Sequence, residues 1–537
     1  MKKIAGTLFF ATFVLASSFA QSGFSDGMKK VLTTMNIISQ MYVDKVDDDK
    51  LAEDAVKALI SELDPHSSYM SKEEVKESNE PLEGNFTGIG ISFNMITDTL
   101  YVIETIAGGP SAKVGILAGD RILLVNDSLI AGVKMPTKDI MRRLRGAKGT
   151  EVNVKVLRRG VPELLNFKII RDKIPIYSVD AAYMVDGVTG YIKISRFGAT
   201  TYGEFKEACL KLREQGMKNV ILDLENNGGG YLSAAIDLAN EFLPADKTIV
   251  YTEGSKRPRY LEKSKGNGFF QTGKVVVLVD EGSASASEIF SGAIQDWDRG
   301  VIVGRRTFGK GLVQQQIPLP DESMIRLTIA RYYTPTGRCI QKPYVKGDRS
   351  SYDQDLISRF NRGELTNADS IHFPDSLKYK TLVTGRTVYG GGGIMPDYFV
   401  PIDTTASTAL HRSLYASNII NKLSLKIVDE GRSDLLAQFP TEDAYLQSFQ
   451  ITDQMFAALR KMSETEKIKF DEKQFEKSKH LIALQIKALM ARDLYESSSF
   501  YKVINKESDI FQRGLQVIEN PELYDLLLKG KNKGIKN

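Results

Sequence analysis

The run KVVVLVD, residues 274–280, is apolar on every position between its two charged ends. A strand exposed on one face alternates apolar with polar residues, so an unbroken run predicts a strand covered on both faces, as in a parallel sheet. Its neighbours fit that reading. GVTGYIKI reads as a strand, TYGEFKEACLKLREQG as a helix and NVILDL as a second buried strand. The turn ENNGGG then leads into a helix with Leu232, Ala235, Ile236, Ala239, Phe242 and Leu243 on one face. From about Lys173 the chain therefore predicts an α/β domain, whose sites belong at the short turns after the carboxyl ends of its strands.

The flanks have other periods. Met28, Val31, Met35, Ile38 and Tyr42 step by three and four, and after the acidic turn KVDDDK so do Ala55, Val56, Leu59, Ile60 and Leu63. They predict two helices, ended by Pro65 in LDPHSSY. From Gly84 to Arg171 the runs GIGISFN, LYVIETI, DRILLVN, EVNVKVL and ELLNFKII read as short strands, interrupted by one helical stretch from Thr137 to Leu144. After about Asp403 strands disappear, and KHLIALQIKALMARDLY is the clearest amphipathic helix before the basic tail KGKNKGIKN.

The opening MKKIAGTLFFATFVLASSFAQS has two lysines, an apolar run and small residues at Ser18 and Ala20. It predicts an export signal cut after Ala20, which places the protein in the periplasm or cell envelope, free or associated with the membrane. A chain of 537 residues suggests several domains, and a net charge of +4 over that length gives no support to nucleic-acid binding. Only Cys209 and Cys339 are available for a disulfide, so this is no disulfide scaffold.

Beyond the run at 274–280, the stretch GSASASEIFSGAIQDW sets three serines directly before a helical pattern. A helix N-cap accounts for one of them, because its side chain satisfies backbone N–H groups that lack partners. A strand, a small-residue turn and a helix start can also present a nucleophile to the positive end of a helix dipole, where an oxyanion is stabilised. A nucleophilic serine needs a base. His66, His372, His411 and His480 all fall in helical flanks or loops, away from the serine turn, and nothing in the sequence supports a Ser–His–Asp triad. Lys310 in TFGKGLVQQ is the better candidate, since a lysine in a dry pocket loses its charge readily and accepts a proton.

FTGIGI and AGGPSAKVGILAGDRILLVND resemble a PDZ domain, whose glycine loop binds a peptide's terminal carboxylate through backbone N–H groups. Residues 282–315, with DLENNGGG before them and ARYYTPTGRCIQ after, closely resemble the C-terminal processing peptidases, or tail-specific proteases. That resemblance covers about residues 35–345 and GGGGIMPDYFV at 390–400. It implies a multidomain α/β fold with a crotonase- or ClpP-like protease core, a β-rich PDZ domain and helical N- and C-terminal segments.

The expected division is a leader at 1–20, a helical region at 21–82, the PDZ domain at 83–172, the core at 173–402 with an insertion at 341–389, and a helical region at 403–537. The resemblance makes Ser285 the nucleophile, Lys310 its base and Gln314 the residue that orients the base. Backbone N–H groups of Ala286 and of Gly229 or Gly230 would hold the oxyanion, and Gly88, Ile89, Gly90 and Ile91 the substrate's carboxylate. Ser283 and Ser287 keep turn and cap roles, with Ser287 the expected cap. No metal or organic cofactor is implied. The expected partners are proteins or peptides with apolar C-termini, and the insertion and the tail leave room for an adaptor or a homo-oligomer. Two other readings retain the fold: an inactive PDZ-bearing scaffold, and a small-ligand binder on the same core.

Overall fold

The computed structural model describes residues 24–530. The expected leader at 1–20 and the last seven residues of the basic tail lie outside them.

The strand Val275–Val279 sits inside a six-stranded sheet ordered Val179–Met184, Thr189–Ile194, Asn219–Asp223, Val275–Val279, Val301–Gly304, Tyr398–Phe399. The first pair is antiparallel and every later pair parallel. Val275, Val277 and Val279 face the helices Thr201–Glu214, Leu232–Phe242 and Ala286–Asp296, which contribute Phe205, Leu238 and Phe290 to one core. Val276 and Leu278 face the other way, onto Ile510, Phe511 and Val517 of Asp509–Glu519 and Tyr524 and Leu527 of Pro521–Leu528. Each wholly buried valine contributes roughly 1.5–3 kcal/mol by leaving water, which is why this segment tolerates no polar residue on either face.

The segment 403–530 thus divides. Its last helices close the second face of the core sheet, while residues 409–495 form a separate helical cluster around Glu472–Leu494, whose Ile482, Ile486, Met490 and Ala491 are buried. At the other end, the helix Asp26–Met41 buries none of its residues, and Met28, Ile37 and Met41 remain exposed.

A second sheet is built around Met324–Tyr333, which pairs with Leu312–Pro318, Thr248–Gly254 and the short strand Ser68–Met70. Through Ser68–Met70 the N-terminal region is woven into the sheet that follows Lys310. The β-rich unit orders its strands Ile91–Ile96, Thr99–Thr105, Arg121–Val125, Glu151–Leu157, Leu165–Ile170, with the helix Thr137–Leu144 packed on them through Ile140 and Leu144. It joins the rest through paired strands Asn85–Gly88 and Asp172–Pro175.

Candidate active site

The strand Val275–Val279 runs out at Asp280, whose carboxylate accepts the N–H groups of Asn226 at 2.8 Å, Gly282 at 3.0 Å and Ser283 at 3.1 Å. Ser283 Oγ donates to the Leu224 carbonyl at 2.8 Å, and Ser287 Oγ to the Asn227 carbonyl at 2.8 Å. The two outer serines therefore stitch the serine turn to the glycine turn and are buried in doing so. Ser287 is not the cap. It lies inside the helix Ala286–Asp296, and the N-cap position belongs to Ser285.

Ser285 has φ 55° and ψ −112°, a conformation that an L-residue with a β-carbon occupies only at a cost of about 1–3 kcal/mol. The outer serines and the helix hold it there. It is half-buried, and its side chain forms a capping box with Glu288 at the start of the helix, each facing the other's backbone N–H.

Ala286 is the first helical residue, so its N–H has no backbone partner. Gly229 and Gly230 differ. The Gly229 N–H donates to Asn227 Oδ1 at 2.9 Å, whereas the Gly230 N–H has no partner among the described residues. Both need to be glycine. A β-carbon on Gly229, at φ 99°, would stand 2.7 Å from Ser285 Cβ, and one on Gly230, at φ 148°, 2.0 Å from the Phe197 carbonyl.

Lys310 reaches this turn through Glu288. The Glu288 carboxylate accepts the Ser285 N–H at 2.8 Å, the Gly309 N–H at 2.7 Å, the Lys310 N–H at 2.8 Å and the Thr307 hydroxyl. Burial pushes its carboxyl up to about 7 against the pull of those donors. The buried Tyr332 hydroxyl closes the same ring, donating between the Ser285 carbonyl, at 3.1 Å, and the Lys310 carbonyl. The Lys310 amine makes no hydrogen bond or ion pair among the described residues. Burial, and then the charge of Arg326, hold its pKa below the ordinary lysine value.

Gln314 is not hydrogen-bonded to Lys310. Its Nε2 donates to Thr328 Oγ1 at 3.3 Å, Thr328 Oγ1 to Asp64 Oδ1 at 3.0 Å, and Ser67 Oγ to Asp64 Oδ2 at 2.6 Å. The distance in sequence between His66 and the serine turn is misleading too. His66 Nε2 lies 2.7 Å from the Tyr352 hydroxyl, and its pKa falls to about 4 through burial and then through the charge of Lys310. Tyr352 comes from the segment 341–389, the expected insertion. Its ring packs edge-on against Phe308 at 6.0 Å, and Arg359 of the same insertion donates to the carbonyls of Arg306 and Thr307. Tyr352 and Arg359 thus brace the loop that carries Lys310. Sequence reading missed Glu288, Tyr332 and His66 in this site, although the Ser-x-x-Glu spacing of Ser285 and Glu288 is itself a capping signal.

Gly88, Ile89, Gly90 and Ile91 lie away from this turn, lining a groove of 460 Å³ with Phe86, Phe93, Met141 and Arg145. The Ile89 and Gly90 N–H groups have no partner among the described residues, and the Arg145 guanidinium donates to Glu80 at 2.6 Å. Backbone contacts join the helix before this groove, Lys72–Glu83, to the glycine turn. The Ala199 N–H donates to the Leu82 carbonyl at 2.7 Å, and Phe197 is bridged to Gly230. Cys209 and Cys339 are both unpaired thiols, and no helix among the described residues is long and apolar enough to cross a membrane.

Residues 188–351 match the profile of Peptidase family S41, 87–169 that of a PDZ domain, 14–74 that of the activating protease CtpB N-terminal domain, and 410–496 a family of unknown function, DUF8443. A "Probable CtpA-like serine protease" of Staphylococcus aureus (strain N315) is 37% identical over 60% of this chain, which spans 64% of that relative's length. A "Carboxy-terminal-processing protease" of Bartonella bacilliformis is 36% identical over 68% of this chain and 85% of the relative. Among solved structures, a "Photosystem II D1 C-terminal processing protease" matches at 28% identity and TM-score 0.34, covering 59% of this chain and 91% of the other.

Proposed function

We propose, from the premise that the chain belongs to peptidase family S41, that it is an exported serine endopeptidase of the carboxy-terminal-processing kind, acting through Ser285 and Lys310. The observation that carries this reading is the setting of Ser285. A strained serine stands at a helix start beside the unengaged N–H groups of Ala286 and Gly230, with Lys310 tied to its turn by Glu288. A helix N-terminus and a glycine turn favour negative charge at that point, as a tetrahedral intermediate needs.

In this mechanism the neutral amine of Lys310 takes the proton from Ser285 Oγ as that oxygen attacks the peptide carbonyl. The carbonyl oxygen, now negative, is held by the Ala286 and Gly230 N–H groups. Collapse breaks the C–N bond, and Lys310 gives its proton to the leaving amine. Water, deprotonated by the same amine, then releases the acyl group from Ser285. Gln314 orients the amine, a part that requires its carboxamide to turn from Thr328 toward Lys310. The PDZ loop at Gly88–Ile91 captures the substrate's terminal carboxylate, and the apolar groove beside it favours apolar tails.

The test is a cleavage time course on an unfolded protein with an apolar C-terminus, using residues 21–537, Ser285→Ala and Lys310→Ala. Cleavage by the parent alone is expected. Equal cleavage by Ser285→Ala overturns the assignment, and no cleavage by any of the three puts the scaffold reading in its place.

A further inference from the structure

The peptide groove of the PDZ unit has one wall that the unit does not supply. Asn418, in the helical cluster that matches no family of known function, lines the same 460 Å³ space as Ile89, Gly90, Ile91, Asn94 and Met141. Asn418 is exposed, left-handed at φ 57°, and occupies the N-cap position of the helix Ile419–Gln438. Its carboxamide makes no hydrogen bond among the described residues.

The helix that follows fixes where along the groove Asn418 stands. Leu425 shares a cavity with Ile96, the last residue of the strand Ile91–Ile96. Asp429 is ion-paired with Arg121 at 2.8 Å, and its carbonyl accepts from Arg159 at 2.8 Å. Asn418 to Leu425 is about 10 Å of helix, and Phe93 to Ile96 about 10 Å of strand. The helix therefore lies beside the far half of that strand, away from Gly88–Gly90. A peptide whose carboxylate sits at Gly88–Gly90 adds antiparallel to Ile91–Ile96, so its end lies near Ile91 and its earlier residues pass Asn94.

We infer that Asn418 is a specificity-determining residue: it reads the substrate side chain that is third to fifth from the C-terminus. Near the carboxylate the groove is apolar, with Ile89, Ile91 and Leu144. At the far end Asn94 and Asn418 present two carboxamides. The preferred tail is therefore apolar at its end and carries a hydrogen-bonding residue such as Thr, Ser or Asn a few positions before it. The helical cluster then acts in substrate choice, held against the PDZ unit by Asp429.

This inference rests on carboxylate capture by the PDZ loop, and one experiment separates the two. Binding of labelled eight-residue peptides to residues 21–537 carrying Ser285→Ala is measured by fluorescence anisotropy. The peptides end in an apolar residue and bear Thr, Val, Lys or Glu at the third to fifth positions from the end. Asn418→Asp and Asn418→Gly both tolerate the left-handed backbone. Asn418→Asp is expected to tighten the Lys peptide and weaken the Glu peptide, each by about 3- to 10-fold, as one gained or lost hydrogen bond or ion pair would. Asn418→Gly is expected to remove the preference for Thr over Val, with the dependence on the last residue unchanged. Equal shifts for all peptides, or none, overturn the inference. A C-terminally amidated peptide that binds as tightly as the free acid overturns PDZ capture itself.

Discussion

The carboxylate of Glu288 accepts the backbone N–H of Lys310 at 2.8 Å. The same carboxylate takes the N–H of Ser285, so a single buried side chain fixes the turn of Ser285 to the loop of Lys310. Ser285 and Lys310 come from different strand–loop junctions, and no hydrogen bond joins their side chains. Their separation is set through the backbone, by Glu288 on one side and the Tyr332 hydroxyl on the other.

Glu288→Gln keeps the volume and replaces one acceptor oxygen by an NH₂ that faces N–H donors. Leaving a buried donor unpaired costs about 1–3 kcal/mol. A loop displaced by about 1 Å slows a reaction by on the order of 10²-fold. The expected outcome is a cleavage rate down about 100-fold and a lower melting temperature, with peptide affinity of the PDZ groove unchanged. Single-turnover cleavage beside peptide binding checks it, and full activity in the variant would remove Glu288 from this positioning role.

If Lys310 is the base, Arg326 helps to set where on the pH scale it acts. Its charge is second to burial in lowering the Lys310 pKa. A base must be neutral, so the cleavage rate should rise with pH through a limb below the ordinary lysine value. Arg326→Gln removes a repulsion from the ammonium form, which moves the limb to higher pH and lowers the rate at neutral pH. The plateau at alkaline pH should be retained if the geometry survives. A pH–rate profile of the variant that overlays the parent's contradicts the coupling.

His66 does not supply a second base. With a pKa of about 4 it is neutral throughout the range in which the enzyme would work. The parent should show no limb near 6.5, and His66→Gln should keep its rate within about tenfold, a loss of positioning rather than of a proton acceptor. Folding carries the opposite signature. Between pH 6.5 and 4 the unfolded chain binds a proton that the folded one refuses, so stability falls as pH drops through that window. Melting temperature measured against pH should fall less steeply in His66→Gln than in the parent.

The core strand was readable because burial on both faces leaves no choice of residue type along 275–279. The helix at Thr137–Leu144 was readable because its period breaks a run of strands. The same double burial implied that helices must cover the sheet's second face, yet nothing local marks 509–528 as those helices, since any amphipathic helix of the tail could have served. In the site, serine and lysine were visible as residue types at a spacing. The cap was misassigned to Ser287 because both serines can cap. What separates them is the positive φ of Ser285, which tertiary contacts impose and propensity does not encode. His66 was set aside because its partner Tyr352 lies 286 residues away, across a strand pairing that joins the N-terminal region to the second sheet.

The glycine turn offers the sharpest separation of roles. Asn227 engages the Gly229 N–H, so only Gly230 has an unengaged donor to set beside that of Ala286. Asn227→Ala removes that acceptor, along with the bond from Asn227 Nδ2 to the Ile194 carbonyl at 2.9 Å. It frees Gly229 and loosens the whole turn. The expected result is a fall in the cleavage rate at saturating substrate of on the order of 10²-fold, as for a turn displaced by about 1 Å. Gly229→Ala acts by another route. Its methyl would stand 2.7 Å from Ser285 Cβ and 2.9 Å from the Ala286 nitrogen, in the space that the proposed mechanism gives to the substrate carbonyl. It should abolish cleavage while leaving the PDZ groove able to bind its peptide. A Gly229→Ala protein that remains folded and cuts at the parent's rate would show that the oxyanion is held elsewhere.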